Sequence, residues 1–144
     1  MAVWNGDAQT CSLELSRLLL RTISYYDYKE DYYHAFLAGI FAGAGYEVES
    51  NREYGEGRSD VIVKDHAGDR AAVFEIKHAS ARSGLREGCE AALVQLEERH
   101  YATQLEEDFS KVYGYGVAFY KKRCLVLERK DSAKGVSPTG LLAE

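Results

Sequence analysis

Proline is nearly absent. The single residue, Pro138, lies near the C-terminus, so almost the whole chain is free to build regular structure. Cysteine is scarce too. Cys11, Cys89 and Cys124 are odd in number, far apart and never in a C-x-x-C pair, which argues against a disulfide framework or a cysteine–zinc site. The longest apolar run, Ala35 to Tyr46, is too short to span a bilayer and is broken by Gly39, Gly43 and Gly45. No basic segment followed by an apolar core opens the chain, so no signal peptide is expected and a reducing, cytoplasmic location is. Positive charge is also in deficit: 18 Lys and Arg face 23 Asp and Glu, a net charge of −5. A protein that holds nucleic acid by neutralising phosphates is usually basic, so strong sequence-independent DNA binding is not expected. Local handling of phosphate, for example through a metal ion, stays open. What is present is the ordinary balance of one globular domain: 144 residues, 46% hydrophobic and 28% charged.

The chain shows no internal repeat. A first helix is expected from about Thr10 to Ile23, capped by Asp7, Thr10 or Ser12, with leucines at 13, 15, 18, 19 and 20 as its apolar surface. A tyrosine-rich connector, Ser24 to Lys29, leads to a second helix from about Glu30 to Ala44, where Tyr33, Leu37, Ile40, Phe41 and Ala44 recur at helical spacing and Gly45 fits a C-cap. Its small residues, Gly39 and Gly43 among them, suggest close approach by another element. Tyr46 to Tyr54 reads as a polar strand, and Gly55-Glu56-Gly57 as a turn. Ser59 to Asp65 and Arg70 to Lys77 read as a hairpin around Ala67-Gly68. A third helix covers about Leu85 to Leu105, with a break expected near His100 and with Leu85, Cys89, Ala92 and Leu96 on one face. Val112 to Tyr120 and Cys124 to Glu128 close the fold around Lys121-Lys122-Arg123. The order α-α-β-β-β-α-β-β describes an α/β fold, an α+β mixed sheet flanked by helices. Residues 1–130 are expected to form one domain and 131–144 a polar, loosely ordered tail.

The informative residues are Asp60, Glu75 and Lys77. With the hairpin centred between Ala67 and Gly68, Asp60 faces Glu75 directly, side chains starting about 5 Å apart. Opposed carboxylates repel unless something cationic sits between them. A hard divalent cation takes oxygen ligands of this kind, with water and substrate phosphate. Lys77 leaves the same face of the strand as Glu75, where it either neutralises the acids or points at the same phosphate. A slip of one residue in register would move Glu75 and Lys77 to the other face. The bland alternative is a solvated surface strand. Against it, the run Val73 to Ile76 is apolar enough to be central, where charges need a reason.

Several segments occur in order: Ser24 to Tyr28, Glu30 to Gly39, Tyr46 to Glu53, Gly55-Glu56-Gly57-Arg58-Ser59-Asp60, Phe74-Glu75-Ile76-Lys77, and a following helix with Gln95. Together they resemble the PD-(D/E)xK nuclease superfamily, and within it the nuclease-like domain at the C-terminus of bacterial AAA-ATPase-like proteins. The resemblance covers about Trp4 to Glu128; its one departure is Ser59, where the motif is usually written with proline. It implies a restriction-endonuclease-like core and hydrolysis of phosphodiesters in nucleic acid, DNA before RNA. It implies that Asp60, Glu75 and the Ile76 carbonyl bind Mg²⁺ or Mn²⁺, that Glu30 joins them directly or through water, and that Gln95 points in from the third helix. Lys77 would orient the attacking water or steady charge on the phosphate. The metal would serve as Lewis acid and as activator of the water. It further implies an ATPase-like domain in cis, and so an excised C-terminal domain with Met1 supplied as a start. Oligomeric state stays open. A catalytically silent module serving regulation or assembly is the alternative function.

Among the remaining candidates, His34 stands four residues after Glu30, on one helix face. With no second His or Cys at ligand spacing, a partner for Glu30 is preferred to a zinc ligand. Arg58, just before Asp60, is placed to meet a phosphate backbone, and Tyr101 to line the cleft. Lys121-Lys122-Arg123 are read as solvated charges, and Glu97, Glu98, Glu106, Glu107 and Asp108 as an acidic face that DNA would avoid.

Overall fold

The computed structural model describes residues 2–22, 30–52 and 59–130. The Ser24–Lys29 connector, the 55–57 turn, Arg58 and the 131–144 tail lie outside these residues, as do the side chains of Glu30, Asp31 and Arg52.

A short 3-10 helix, Ala2–Asn5, precedes helix α1 (Ala8–Thr22). Asp7 caps α1: its carboxylate accepts from the Thr10 backbone N–H at 3.0 Å and the Thr10 hydroxyl at 2.7 Å. Helix α2 (Glu30–Gly43) is followed two residues on by Gly45, whose φ of +98° is the left-handed turn that a glycine tolerates. Among the described residues no element approaches α2 closely through its glycines. A Cβ at Gly39 or Gly43 would meet nothing within 4 Å, because α2 packs through Tyr33, Leu37 and Phe41 on its other face.

Among the described residues one mixed sheet runs in the order β1 (Glu47–Arg52), β2 (Ser59–Asp65), β3 (Arg70–His78), β4 (Lys111–Tyr120) and β5 (Arg123–Glu128). All neighbours are antiparallel except β3 and β4, which are parallel and joined through α3 (Leu85–Glu98) and α4 (Tyr101–Leu105). The expected break in the third helix is real. His100 adopts φ 58°, and this left-handed residue separates α3 from α4.

Side-chain alternation divides the sheet into two faces. Val61, Val63, Phe74, Ile76, Tyr115, Val117 and Phe119 face α1 and α2. Tyr33 stacks on Phe119 at 4.6 Å between ring centroids, and Phe74 lies between Phe41 and Tyr115 at 5.2 and 5.1 Å. Ile62, Ala71, Val73 and Val112 face α3 and α4, meeting Leu96, Ala102 and Leu105. The three cysteines are buried and free. Burial pushes the Cys11 and Cys89 thiols up to about 12, so they behave as small apolar side chains.

Helix α3 sits close to β4 because the strand offers small residues there. A Cβ at Gly116 would collide with the Cys89 backbone carbonyl oxygen and crowd Leu93 and Ala92. Backbone yields less readily than a side-chain tip, so Gly116→Ala is expected to destabilise the fold by about 2 kcal/mol through overpacking. Urea unfolding measures this, and an unchanged midpoint would show that α3 is not seated on Gly116.

Candidate active site

The Asp60–Glu75 pairing expected from the hairpin is present: the two residues are directly opposed across β2 and β3. Both are fully buried at 0% exposure. By alternation their side chains share the α3–α4 face with Ile62, Ala71 and Val73. The register is set because a one-residue slip would turn Val61, Val63, Phe74 and Ile76 out of the larger core. Among the described residues the β2–β3 pairing ends at this pair, whereas β3 continues beside β4 to His78 and Phe119. Ile76 and Lys77 therefore follow the last β2 partner among the described residues.

Asp60 is oriented by Asn51, its cross-strand neighbour on β1, whose Nδ2 donates to Asp60 Oδ1 at 2.9 Å. Glu75 is served differently. Neither of its carboxylate oxygens has a hydrogen-bond partner, and both are sealed from solvent. Arg99, just past the end of α3, approaches to 3.5 Å from Glu75 Oε2. Burial pushes the Glu75 carboxyl up to about 7. Arg99 opposes the shift, the Asp60 charge adds to it and Lys77 opposes it. A weak lowering also comes from the Ser59 backbone N–H, although that group falls short of hydrogen-bonding geometry. A buried carboxylate that a cation meets at ion-pair rather than hydrogen-bond distance gains from a better-placed positive charge.

Lys77 is half-buried on the same face, its Cβ side turned toward Gly88 of α3. Gln95 lies one helical turn before Arg99, and its Oε1 is buried with no hydrogen-bond partner. Tyr101 opens α4 and packs against the smaller core cluster of Ile62, Val73 and Leu96, with its side chain half-buried. Glu30 begins α2, with its side chain outside the described residues, and Arg58 lies outside them altogether.

His34 occupies a place that sequence spacing did not indicate. Its Nδ1 lies 3.0 Å from Ser59 Oγ and its Nε2 hydrogen-bonds Ser50 Oγ. Because Ser59 alternates with Asp60, the imidazole fastens the β1–β2 pair from the α2 face, across the sheet from the carboxylates.

Two residues at the acidic pair were missed from sequence, Asn51 and Arg99. The register that paired Asp60 with Glu75 says nothing of β1, so it could not expose Asn51. Arg99 could have been found from its spacing, four residues after Gln95 on one helix face.

Among the described residues no group of three or more His, Cys, Asp or Glu side chains is arranged to hold a metal ion. The donor chemistry nevertheless suits a hard cation: two buried carboxylates face one another, and the oxygens of one lack a hydrogen-bond partner. No described helix is long and apolar enough to cross a membrane.

No curated protein and no solved structure matches the chain. A family model described as the PD-(D/E)XK nuclease superfamily matches residues 28–129, more than two thirds of the sequence and the whole of the segment carrying Asp60, Glu75 and Lys77. With a mixed sheet and flanking helices consistent with a restriction-endonuclease-like fold, the chain belongs to the PD-(D/E)XK nuclease superfamily.

Proposed function

We propose that this chain hydrolyses phosphodiester bonds of DNA with the help of a divalent cation, at a site built on Asp60, Glu75 and Lys77. The observation that carries the reading is the buried Asp60–Glu75 pair, with the Glu75 oxygens lacking a hydrogen-bond partner and met by Arg99 only at ion-pair distance. Such a pair destabilises a fold that leaves it uncompensated and suits one that fills it with positive charge. Nucleases of this superfamily generally use divalent metals. Asp60, Glu75, the Ile76 carbonyl and Glu30 would hold Mg²⁺ or Mn²⁺ here. When bound, that ion supplies Lewis-acid polarisation of the phosphate and a more acidic water. Asn51 keeps the Asp60 carboxylate turned to its task. Lys77, on the same face as Glu75, holds the scissile phosphate or steadies the charge it gains. Gln95 offers a buried amide to the attacking water from α3. His34 supports the site by holding the β1–β2 pair from behind. Arg58 and Tyr101 flank the substrate.

The wider setting belongs to the same proposal: one domain over residues 1–130 with a tail at 131–144, an ATPase-like domain in cis and a cytoplasmic location. The test is cleavage of plasmid and single-stranded DNA in Mg²⁺ or Mn²⁺, with EDTA in a parallel reaction. Cleavage only with metal is expected; cleavage that persists in EDTA would refute the assignment.

One observation favours a second reading, a catalytically silent module that serves assembly with the ATPase-like domain. Arg99 already supplies positive charge 3.5 Å from Glu75, which a fold without a metal would need. Calorimetry with Mg²⁺ and Mn²⁺ separates the two. Absence of both binding and cleavage would favour the module.

A further inference from the structure

We propose that Arg99 is a displaceable counter-ion: it pairs with Glu75 while the acidic pair holds no metal, and it has to leave before a divalent cation can bind. Arg99 thereby sets the metal concentration at which the site works. The inference rests on the nuclease reading above and concerns the regulation of the same site. Arg99 follows the last residue of α3, with φ −90° and ψ −7°, and the left-handed His100 comes next. It stands at the negative end of the helix dipole, where a cation is favoured. From there its Nη1 comes within 3.5 Å of Glu75 Oε2.

The contact is loose for a buried pair. Arg99 Nη1 is sealed from solvent yet makes no hydrogen bond, and neither oxygen of Glu75 accepts one. Gln95, one helical turn earlier, adds a third buried oxygen, Oε1, that lacks a hydrogen-bond partner. Elsewhere this fold secures its arginine ion pairs with hydrogen bonds. Arg70 Nε donates to Asp65 Oδ2 at 2.7 Å, and Arg129 Nη2 to Glu106 Oε2 at 3.2 Å. Those carboxylate side chains are 13% and 39% exposed, against 1% for Glu75. A charge-assisted hydrogen bond is strongest where water is excluded, so the pair with most to gain from one is the pair that lacks it.

Glu75 is therefore held by charge alone, and an ion of twice the charge that takes carboxylate oxygens as ligands competes well for it. Arg99 also has a way out, because its side chain keeps 24% exposure although its Nη1 is buried. A resident charge of this kind lets the fold bury Glu75 opposite Asp60 before any metal arrives. The consequence is a weaker metal affinity, since only the fraction of molecules with Arg99 withdrawn is competent to bind.

The test is calorimetric titration of Mn²⁺ at pH 8 into the full chain and into three single variants, Arg99→Gln, Arg99→Lys and Lys111→Gln. Arg99→Gln is expected to bind Mn²⁺ about tenfold more tightly than wild type. It should also melt at a lower temperature in EDTA and gain more when Mn²⁺ is added. Arg99→Lys keeps the charge and should stay within about threefold of wild type. Lys111→Gln removes an exposed charge at the start of β4 and should do the same. Equal affinities in wild type and Arg99→Gln would overturn the proposal, as would equal tightening by Arg99→Lys, since charge would then not be the cause. A measurement on the wild type covers the case in which Arg99→Gln does not fold. The Arg99 Nε–H resonance, identified by its loss in Arg99→Lys, is expected to shift and to exchange faster with water when Mg²⁺ saturates the site. A resonance that Mg²⁺ leaves unmoved would overturn the displacement. Failure of the nuclease reading is distinguishable. Tighter metal binding by Arg99→Gln in a chain that never cleaves DNA supports the counter-ion and refutes the catalytic assignment. Metal-dependent cleavage with the same half-maximal Mn²⁺ concentration in wild type and Arg99→Gln refutes the counter-ion alone.

Discussion

Asp60→Asn is expected to lower metal-dependent cleavage by about three orders of magnitude while leaving the fold intact. The loss follows from charge. A carboxylate that helps hold a divalent ion contributes several kcal/mol of transition-state stabilisation through it, and about 4 kcal/mol is a thousandfold in rate. The fold survives because the substitution is nearly isosteric and retains the oxygen that accepts from Asn51 Nδ2. It also removes the like charge that raises Glu75. The variant should therefore melt at or above the wild-type temperature without metal, and gain less than wild type when Mn²⁺ is added. Cleavage rates and melting curves with and without Mn²⁺ measure both sides. Cleavage that survives the substitution unchanged would mean a contaminating nuclease or a site elsewhere.

The metal-free protein is expected to lose stability between pH 5 and pH 8. The sign follows from Glu75, whose carboxyl stands at about 7 in the folded protein against 4.5 in an unperturbed glutamate. At pH 4 both states hold the proton. As pH rises past 4.5 the unfolded chain releases it and the folded protein does not, so unfolding becomes progressively easier. Above pH 7 the folded protein has released it too and the loss is complete, at most about 3 kcal/mol. A divalent cation competes with the proton for the same oxygens, so Mn²⁺ should restore more stability at pH 8 than at pH 5. Urea unfolding in EDTA and in Mn²⁺ at the two pH values reads the effect. Glu75→Gln should flatten the metal-free dependence, and a dependence that persists in that variant would remove Glu75 as its source.

The element order, the turn of the central hairpin and the pairing of Asp60 with Glu75 were legible in the residues alone. The cause is local. Two short apolar runs, Val61 to Val63 and Val73 to Ile76, flank the turn at Ala67-Gly68, and centring the hairpin on that turn pairs Asp60 with Glu75. Helix ends were legible for a similar reason: Asp7 and Gly45 act within a few residues of themselves. The break at His100 had been expected only in outline, and its cause is a backbone angle.

What the linear order could not show was which distant segments share a surface. His34 meets Ser50 and Ser59, which stand 16 and 25 residues along the chain, because the position of α2 on the sheet depends on core packing around Tyr33, Leu37 and Phe41. Arg99 meets Glu75 only because α3 crosses the sheet against Gly116. Arg82 joins Lys121, Lys122 and Arg123 only because parallel β3 and β4 bring their ends together. Turns and caps depend on neighbours in the chain, so the amino-acid order points to the strands and, once the hairpin is centred on Ala67-Gly68, to the acidic pair. The charges that surround that pair come from segments tens of residues apart, and close packing of helices on the sheet assembles them.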